Sequence, residues 1–165
     1  MQAYLGIGSN VGDRQAWCMK AITCLTSHPD ISHLTHSVLY ETEPVDAPTQ
    51  GWFLNCAVSI ETELTVRSLF SLCARIECDL GRVRSEKNAP RTVDLDLLFY
   101  GTAIVNTSDL IVPHPRIETR RFVLVPLAEI APDVLHPLLH LTVRELLDRL
   151  GNFPIVRKLN DSTAE

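Results

Sequence analysis

From Thr92 to Tyr100 the chain reads Thr-Val-Asp-Leu-Asp-Leu-Leu-Phe-Tyr, and the alternation at its start admits one local structure. Successive residues of a strand point to opposite faces. Val93, Leu95, Leu97 and Phe99 are therefore expected to face a core, while Asp94 and Asp96 stand together outside it. Asp is depleted in strands, and two carboxylates on one face repel each other unless a cation or hydrogen-bond donors lie between them. Taken alone, the pair fits a solvated face as well as it fits a hard-cation site. Magnesium (Mg²⁺) is commonly held by one or two carboxylates while substrate phosphates complete its octahedron.

The neighbouring segments set the order in which such strands and helices follow. "AYLGIGSN" starts as an apolar strand and breaks at Gly6, Gly8 and Gly12; Trp17, Cys18, Ala21, Ile22 and Leu25 then recur at helical spacing until Pro29. Alternation predicts strands over Ser32–Thr42 and Phe53–Thr62, separated by the Pro-rich "EPVDAPTQGW". Thr65 is placed to cap a helix carrying Val66, Leu69, Phe70, Cys73, Ile76 and Leu80 on one face, with Gly81 as its stop. After the Asp-bearing strand, "TAIVNTSDLIVPHP" predicts a small hairpin. Thr142 and Glu145 form a capping-box pattern opening a last helix to Gly151, and residues 160–165 read as a frayed tail. The order β-α-β-β-α-β predicts an α+β ferredoxin-like sandwich: one antiparallel-dominated sheet, helices on one face, and C-terminal additions, all in a single domain over residues 1–159.

With 20 acidic against 15 basic residues, the formal charge of -5 disfavours nucleic acid and anionic membrane as partners. The positive charge is instead concentrated around the aspartates. Arg82, Arg84, Lys87 and Arg91 precede them with only Glu86 opposing, and Arg116, Arg120 and Arg121 follow. Carboxylates flanked on both sides by guanidinium groups suit polyphosphate bound with Mg²⁺, which needs metal ligands and charge-matching forks together. His114, in "VPHPR", is a further donor for a phosphate or an ordinary turn residue. The five cysteines are odd in number, lack a C-x-x-C pair and mostly occupy apolar positions, so a reducing, cytoplasmic setting is expected. No signal-like start or membrane-length apolar run is present in these residues, and nothing calls for more than a monomer.

Parity applies equally to the strand at Phe53. Leu54, Cys56, Val58 and Ile60 share an apolar face, which leaves Phe53 and Asn55 projecting together. A ring to stack on and a carboxamide with both donor and acceptor suit a flat heterocycle, although an ordinary half-polar strand fits the same pattern. Phe122 is a candidate for the opposite stacking face. "GIGSNVG" is not a dinucleotide fingerprint, because its third glycine comes one residue late and antiparallel neighbours follow it. There is no P-loop, and the histidines lack zinc spacing. The residues alone reach a Mg²⁺-dependent phosphoryl-transfer or phosphate-ester enzyme, with a ligand-binding module as the alternative outside catalysis.

The segments "YLGIGSNVGDR", "YETEP", "FLNCAV", "LGRVRSEKNAPRTVDLDLLFYG" and "VPHPRIETRRFVLVPLAEIAP" together resemble the 6-hydroxymethyl-7,8-dihydropterin pyrophosphokinases of folate biosynthesis. "APRTVDLDLLFYG" followed by "VPHPR" carries most of that likeness. The resemblance implies transfer of a diphosphoryl group from ATP to a hydroxymethyl dihydropterin, giving AMP and the pterin diphosphate, with small molecules as the partners. It implies that Asp94 and Asp96 ligate two Mg²⁺ ions, and that Arg82 and Arg91 sit on segments closing over the substrates. Arg84, Arg91, His114 and Arg120 would contact the triphosphate, and Glu77 and Leu97 would belong to the adenosine site. Thr42, Pro44, Val45, Phe53, Asn55 and Phe122 would form the pterin pocket. The chain departs from many members at Asn88-Ala89, where they carry Trp-Gly. It also departs at Ala74, Asp109 and Ile111, where some place polar or basic ATP contacts.

Overall fold

Strand β1 (Gln2–Ser9) alternates buried with half-buried residues along its whole length and pairs on both sides, with β4 (Phe53–Thr62) and with β5 (Asp94–Tyr100). The computed structural model describes residues 1–44, 51–81 and 92–159. Val45, Arg82, Arg84, Lys87, Asn88, Ala89, Arg91 and the tail at 160–165 lie outside the described residues. Between β1 and β4 come helix α1 (Arg14–Thr26) and strands β2 (Ile31–His36) and β3 (Tyr40–Thr42); helix α2 (Val66–Asp79) leads from β4 to β5. The sheet runs β5-β1-β4-β3-β8, where β8 is Val156–Lys158, and β2 also pairs with β4. Every strand pairing of this sheet among the described residues is antiparallel, as the ferredoxin-like order requires.

Local signals fix the helix starts. Asp13 accepts the Ala16 amide at 3.0 Å, Thr65 accepts that of Ser68 at 3.2 Å, and Thr142 with Glu145 closes a reciprocal capping box. The last helix, α4 (Val143–Asp148), stops short of Gly151, with Arg149 as its cap. The expected hairpin is present as β6 (Val105–Asn106) and β7 (Ile111–Val112). The stretch expected as one strand over Ser32–Thr42 is two. Its ladder slips between Ser32 and Thr35, and the Ser37 hydroxyl accepts the Ala57 amide at 3.0 Å in place of a backbone carbonyl.

The sheet is covered on both faces, not on one. Helices α1 and α2 pack over Ala3, Leu5, Ile7, Leu54, Cys56, Val58, Ile60, Val93, Leu95 and Leu97, as the strand parities require. On the other face, α3 (Arg121–Ile130) and α4 close a second core with Ala57, Leu98, Phe99 and Ile117. Phe99 therefore lies on the opposite face from the one its parity predicts. Tyr4 pairs with Phe99 and Leu5 with Leu97, so Leu98 is the extra residue of a bulge and the side-chain alternation resets there. Three of the five thiols are core groups, and burial pushes Cys18 and Cys73 up to about 12 and Cys56 higher still; Cys24 is half-buried and Cys78 exposed.

His136 completes the second core. It is 4% exposed, stands edge-on to Phe99 with centroids 5.6 Å apart, and its Nδ1 accepts the Leu138 and Leu139 amides at 3.2 and 3.1 Å. Burial holds its pKa below the ordinary histidine value, with His140 adding to the shift and Glu118 opposing it. The folded ring stays neutral while the unfolded ring protonates below about pH 6.5, so the native state loses stability as pH falls through that value. The loss is at most about 1.4 kcal/mol per pH unit from this group. Thermal unfolding at pH 7 and pH 5 should show a shallower acid slope in His136→Gln than in the unmodified chain. Equal slopes would show that His136 is not the group being charged.

Candidate active site

Among the described residues strand β5 lies at the edge of the sheet, and two of its outward backbone groups are taken by a side chain and by a loop. The Leu95 amide donates to Glu77 Oε1 of α2 at 2.8 Å, and the Leu98 carbonyl accepts the His114 amide at 3.0 Å. These bonds fix the strand on either side of Asp96. Asp94 and Asp96 alternate with core residues Leu95 and Leu97, so their half-buried side chains share the face on which α3 packs. Leu97 is 6% exposed on the opposite face, among the α1 and α2 core residues, and Glu77 approaches from that side at 9% exposure.

Opposite the aspartates, β1 contributes no side chain. Gly8 pairs with Asp94 and Gly6 with Asp96; on the other flank Gly8 pairs with Asn55 and Gly6 with Ala57. The result is a bare floor one strand wide between the carboxylates and β4. Asn55, Phe53 and Thr42 bound its far side, since Thr42 pairs with Phe53 in the β3–β4 ladder. The Asn55 Nδ2 donates to Thr42 Oγ1 at 3.0 Å, with Thr42 2% and Asn55 9% exposed. Half-buried Pro44 follows β3.

The segment leading into α3 supplies the positive and aromatic groups. Arg120 caps α3 and places its guanidinium 3.9 Å from Asp96 Oδ2 and 5.5 Å over the Phe122 ring, so one arginine links the carboxylates to the aromatic side of the site. His114 Nδ1 accepts the Arg116 amide at 3.2 Å, which puts the neutral ring's proton on Nε2. Burial holds His114 below its ordinary pKa; Arg120 and Arg116 add to that shift and Asp96 opposes it. The ring is a neutral donor at pH 7.

The structure thus brings Asp94, Asp96, Asn55, Phe53, Thr42, His114, Arg120 and Phe122 to one face and one end of the sheet, and leaves Leu97 in the core behind it. Among the described residues no group of three or more His, Cys, Asp or Glu side chains forms a metal cluster. Two hard carboxylate donors beside an open floor nevertheless fit Mg²⁺, which takes its remaining ligands from water and phosphate. Among the described residues no helix is long and apolar enough to cross a membrane. Strand β1 runs through Gly6 and Gly8 to Ser9 without the break expected there; two apart in a strand they share a face, so the glycine floor was readable from their spacing. An anchoring cluster behind the pocket was not. Glu41 takes Arg14 on one oxygen at 3.1 Å and Arg157 on the other at 3.2 Å, while Arg14 also bonds the Trp52 carbonyl and Arg157 stacks 4.6 Å over its ring.

The sequence profile described as 7,8-dihydro-6-hydroxymethylpterin-pyrophosphokinase (HPPK) matches residues 4–132. The chain is 46% identical over 156 residues to the 2-amino-4-hydroxy-6-hydroxymethyldihydropteridine pyrophosphokinase of Methylorubrum extorquens, covering 94% of this chain and 98% of that one. It is 45% identical over 132 residues to the enzyme of the same name from Bacillus subtilis, covering 80% and 79% of the two. Among solved structures, an HPPK-DHPS chain in complex with substrates superposes with a TM-score of 0.71 at 14% identity, over 89% of this chain and 42% of that longer one. That likeness concerns the fold alone.

Proposed function

Because the chain belongs to the 6-hydroxymethyl-7,8-dihydropterin pyrophosphokinase family, we propose that it transfers a diphosphoryl group from ATP to the hydroxymethyl oxygen of a dihydropterin, with Mg²⁺, giving AMP and the pterin diphosphate. The observation that carries this reading is the bare floor of Gly6 and Gly8 joining the aspartates to the Asn55–Thr42 pair on one face. Two interstrand spacings put Asp94 and Asn55 about 10 Å apart. One flat bicyclic ring and its one-carbon arm fill that span.

Asp94 and Asp96 would hold Mg²⁺, one ion or two. When bound, the metal supplies charge neutralisation and alignment of the phosphate oxygens. Asn55 and Thr42 read the edge of the heterocycle, and Phe53 and Phe122 lie on the α3 face to stack against it. Arg120 matches phosphate charge beside Asp96, and neutral His114 donates a hydrogen bond without adding to the positive field. Positioning and electrostatic stabilisation are the main demands of phosphoryl transfer, and these groups meet them without a dedicated base. Arg82, Arg84 and Arg91 belong to the same reading as triphosphate contacts carried by the segment between α2 and β5. Arg67, bound to Asp109 at 3.1 Å, places an ion pair on the β6–β7 hairpin, where some family members have an ATP contact.

Incubating the purified chain with MgCl₂, ATP and 6-hydroxymethyl-7,8-dihydropterin should yield AMP and pterin diphosphate in equal amounts, and no AMP when the pterin is omitted. ADP as the nucleotide product, or pterin-independent hydrolysis, would reject diphosphoryl transfer. A folded chain that binds ATP without turnover would favour a ligand-binding module.

A further inference from the structure

Gly8 pairs with Asn55 on one side and with Asp94 on the other. Its φ lies outside the left-handed region, so the backbone conformation does not call for glycine. Glycine within a strand also carries an entropic cost that alanine would reduce. What calls for glycine is the neighbouring side chain. A Cβ at position 8 would stand 2.7 Å from Asn55 Oδ1, closer than van der Waals contact permits. At Gly6 the nearest atom would be Leu98 Cδ1 at 3.7 Å, an ordinary contact. Of the two floor glycines, only Gly8 is needed to make room for a polar group.

That polar group is held at its other end. Asn55 Nδ2 donates to Thr42 Oγ1 at 3.0 Å, and both residues are buried. A carboxamide fixed at its nitrogen can keep its oxygen in place only if the space beside position 8 is empty. We propose that Gly8 is a positioning residue that acts through Asn55. Its missing side chain leaves the space in which the Thr42-anchored carboxamide presents Oδ1 as an acceptor to an N–H edge of the bound heterocycle. The inference rests on the pyrophosphokinase reading and adds to it the residue that sets the polarity of recognition. Adding a methyl group at position 8 forces the carboxamide to turn, breaks its bond to Thr42 and withdraws the acceptor.

The test is a double-mutant cycle on pterin binding, read by fluorescence titration with MgCl₂ and a non-hydrolysable ATP analogue in the unmodified chain, Gly8→Ala, Asn55→Ala and the double variant. Gly8→Ala alone should weaken pterin binding about 10-fold or more while the affinity for the ATP analogue stays within about 2-fold. In the Asn55→Ala background the same change should cost less than about 2-fold, because the group it displaces is gone. Additive losses would overturn the inference and make the new methyl group an obstacle to the ligand itself. If Gly8→Ala fails to fold, the comparison within the Asn55→Ala background decides alone, by the same 2-fold against 10-fold criterion. No pterin binding by the unmodified chain would remove the functional reading and this inference with it.

Discussion

Asp96→Ala is expected to lower diphosphoryl transfer by about 10³-fold or more while the protein remains folded. Charge stabilisation by a metal ion is worth several kcal/mol in the transition state, and each 1.4 kcal/mol is a factor of ten in rate. Asp96 contributes little to the core. Its side chain is 44% exposed, and its ion pair with Arg120 is 3.9 Å long. Exposed pairs of this kind contribute about 1 kcal/mol at most, and removing one of two neighbouring carboxylates also relieves repulsion. The melting temperature should therefore stay within about 4 °C of the unmodified protein. Asp96→Asn should behave like Asp96→Ala in turnover, because the amide keeps the shape and loses the charge that a cation needs. Nucleotide binding in either variant should no longer strengthen when MgCl₂ is added. A collapse in melting temperature, or an Asn variant that retains activity, would contradict the role of Asp96 as a metal ligand.

The two strands that carry the site were legible because period-two alternation survives in the sequence wherever both faces have different neighbours. Val93, Leu95 and Leu97 face one core, and Leu54, Cys56, Val58 and Ile60 join them there, which leaves Asp94, Asp96, Phe53 and Asn55 on the side of the site. The parity argument fails at Phe99 because the bulge at Leu98 leaves no trace in composition: an apolar residue follows an apolar residue, and both are buried. Helix α3 was hidden for a related reason. Pro126 lies inside it and reads as a helix breaker, yet packing of Val123, Leu124 and Leu127 on the second face outweighs the lost hydrogen bond. Without α3 the second face of the sheet looked open, so Arg120 was legible only as one of the arginines following the aspartates and Phe122 only as a candidate stacking ring, with no position fixed for either. His114 and Thr42 are similar cases, since their roles depend on contacts between segments distant in sequence. The resemblance placed Glu77 at the nucleotide, and its bond to the strand that bears the two aspartates became visible only in three dimensions.

Glu77→Ala is expected to reduce both stability and turnover, the two losses having one origin. The Leu95 amide sits on the outer edge of β5 between the two aspartates, and Glu77 Oε1 accepts it at 2.8 Å in a setting where Leu95 is 5% and Glu77 9% exposed. Removing the acceptor leaves a buried N–H without this partner, at a cost of about 1–3 kcal/mol. At this chain length that lowers the melting temperature by about 2–12 °C. The strand that loses its clamp carries both carboxylates proposed to hold Mg²⁺, and a displacement of about 1 Å at a reacting centre is enough for a 10²-fold loss of rate. Glu77→Gln separates the clamp from the charge. Its side-chain carbonyl can still accept the Leu95 amide, so melting temperature and turnover should recover together. The resemblance points to an adenosine contact instead, and that role predicts a different pattern: Glu77→Ala would raise the KM for ATP at an unchanged melting temperature, and glutamine would not restore it. A stability loss that tracks the loss of kcat across the two variants, with ATP affinity nearly constant, assigns Glu77 to holding the aspartates in place.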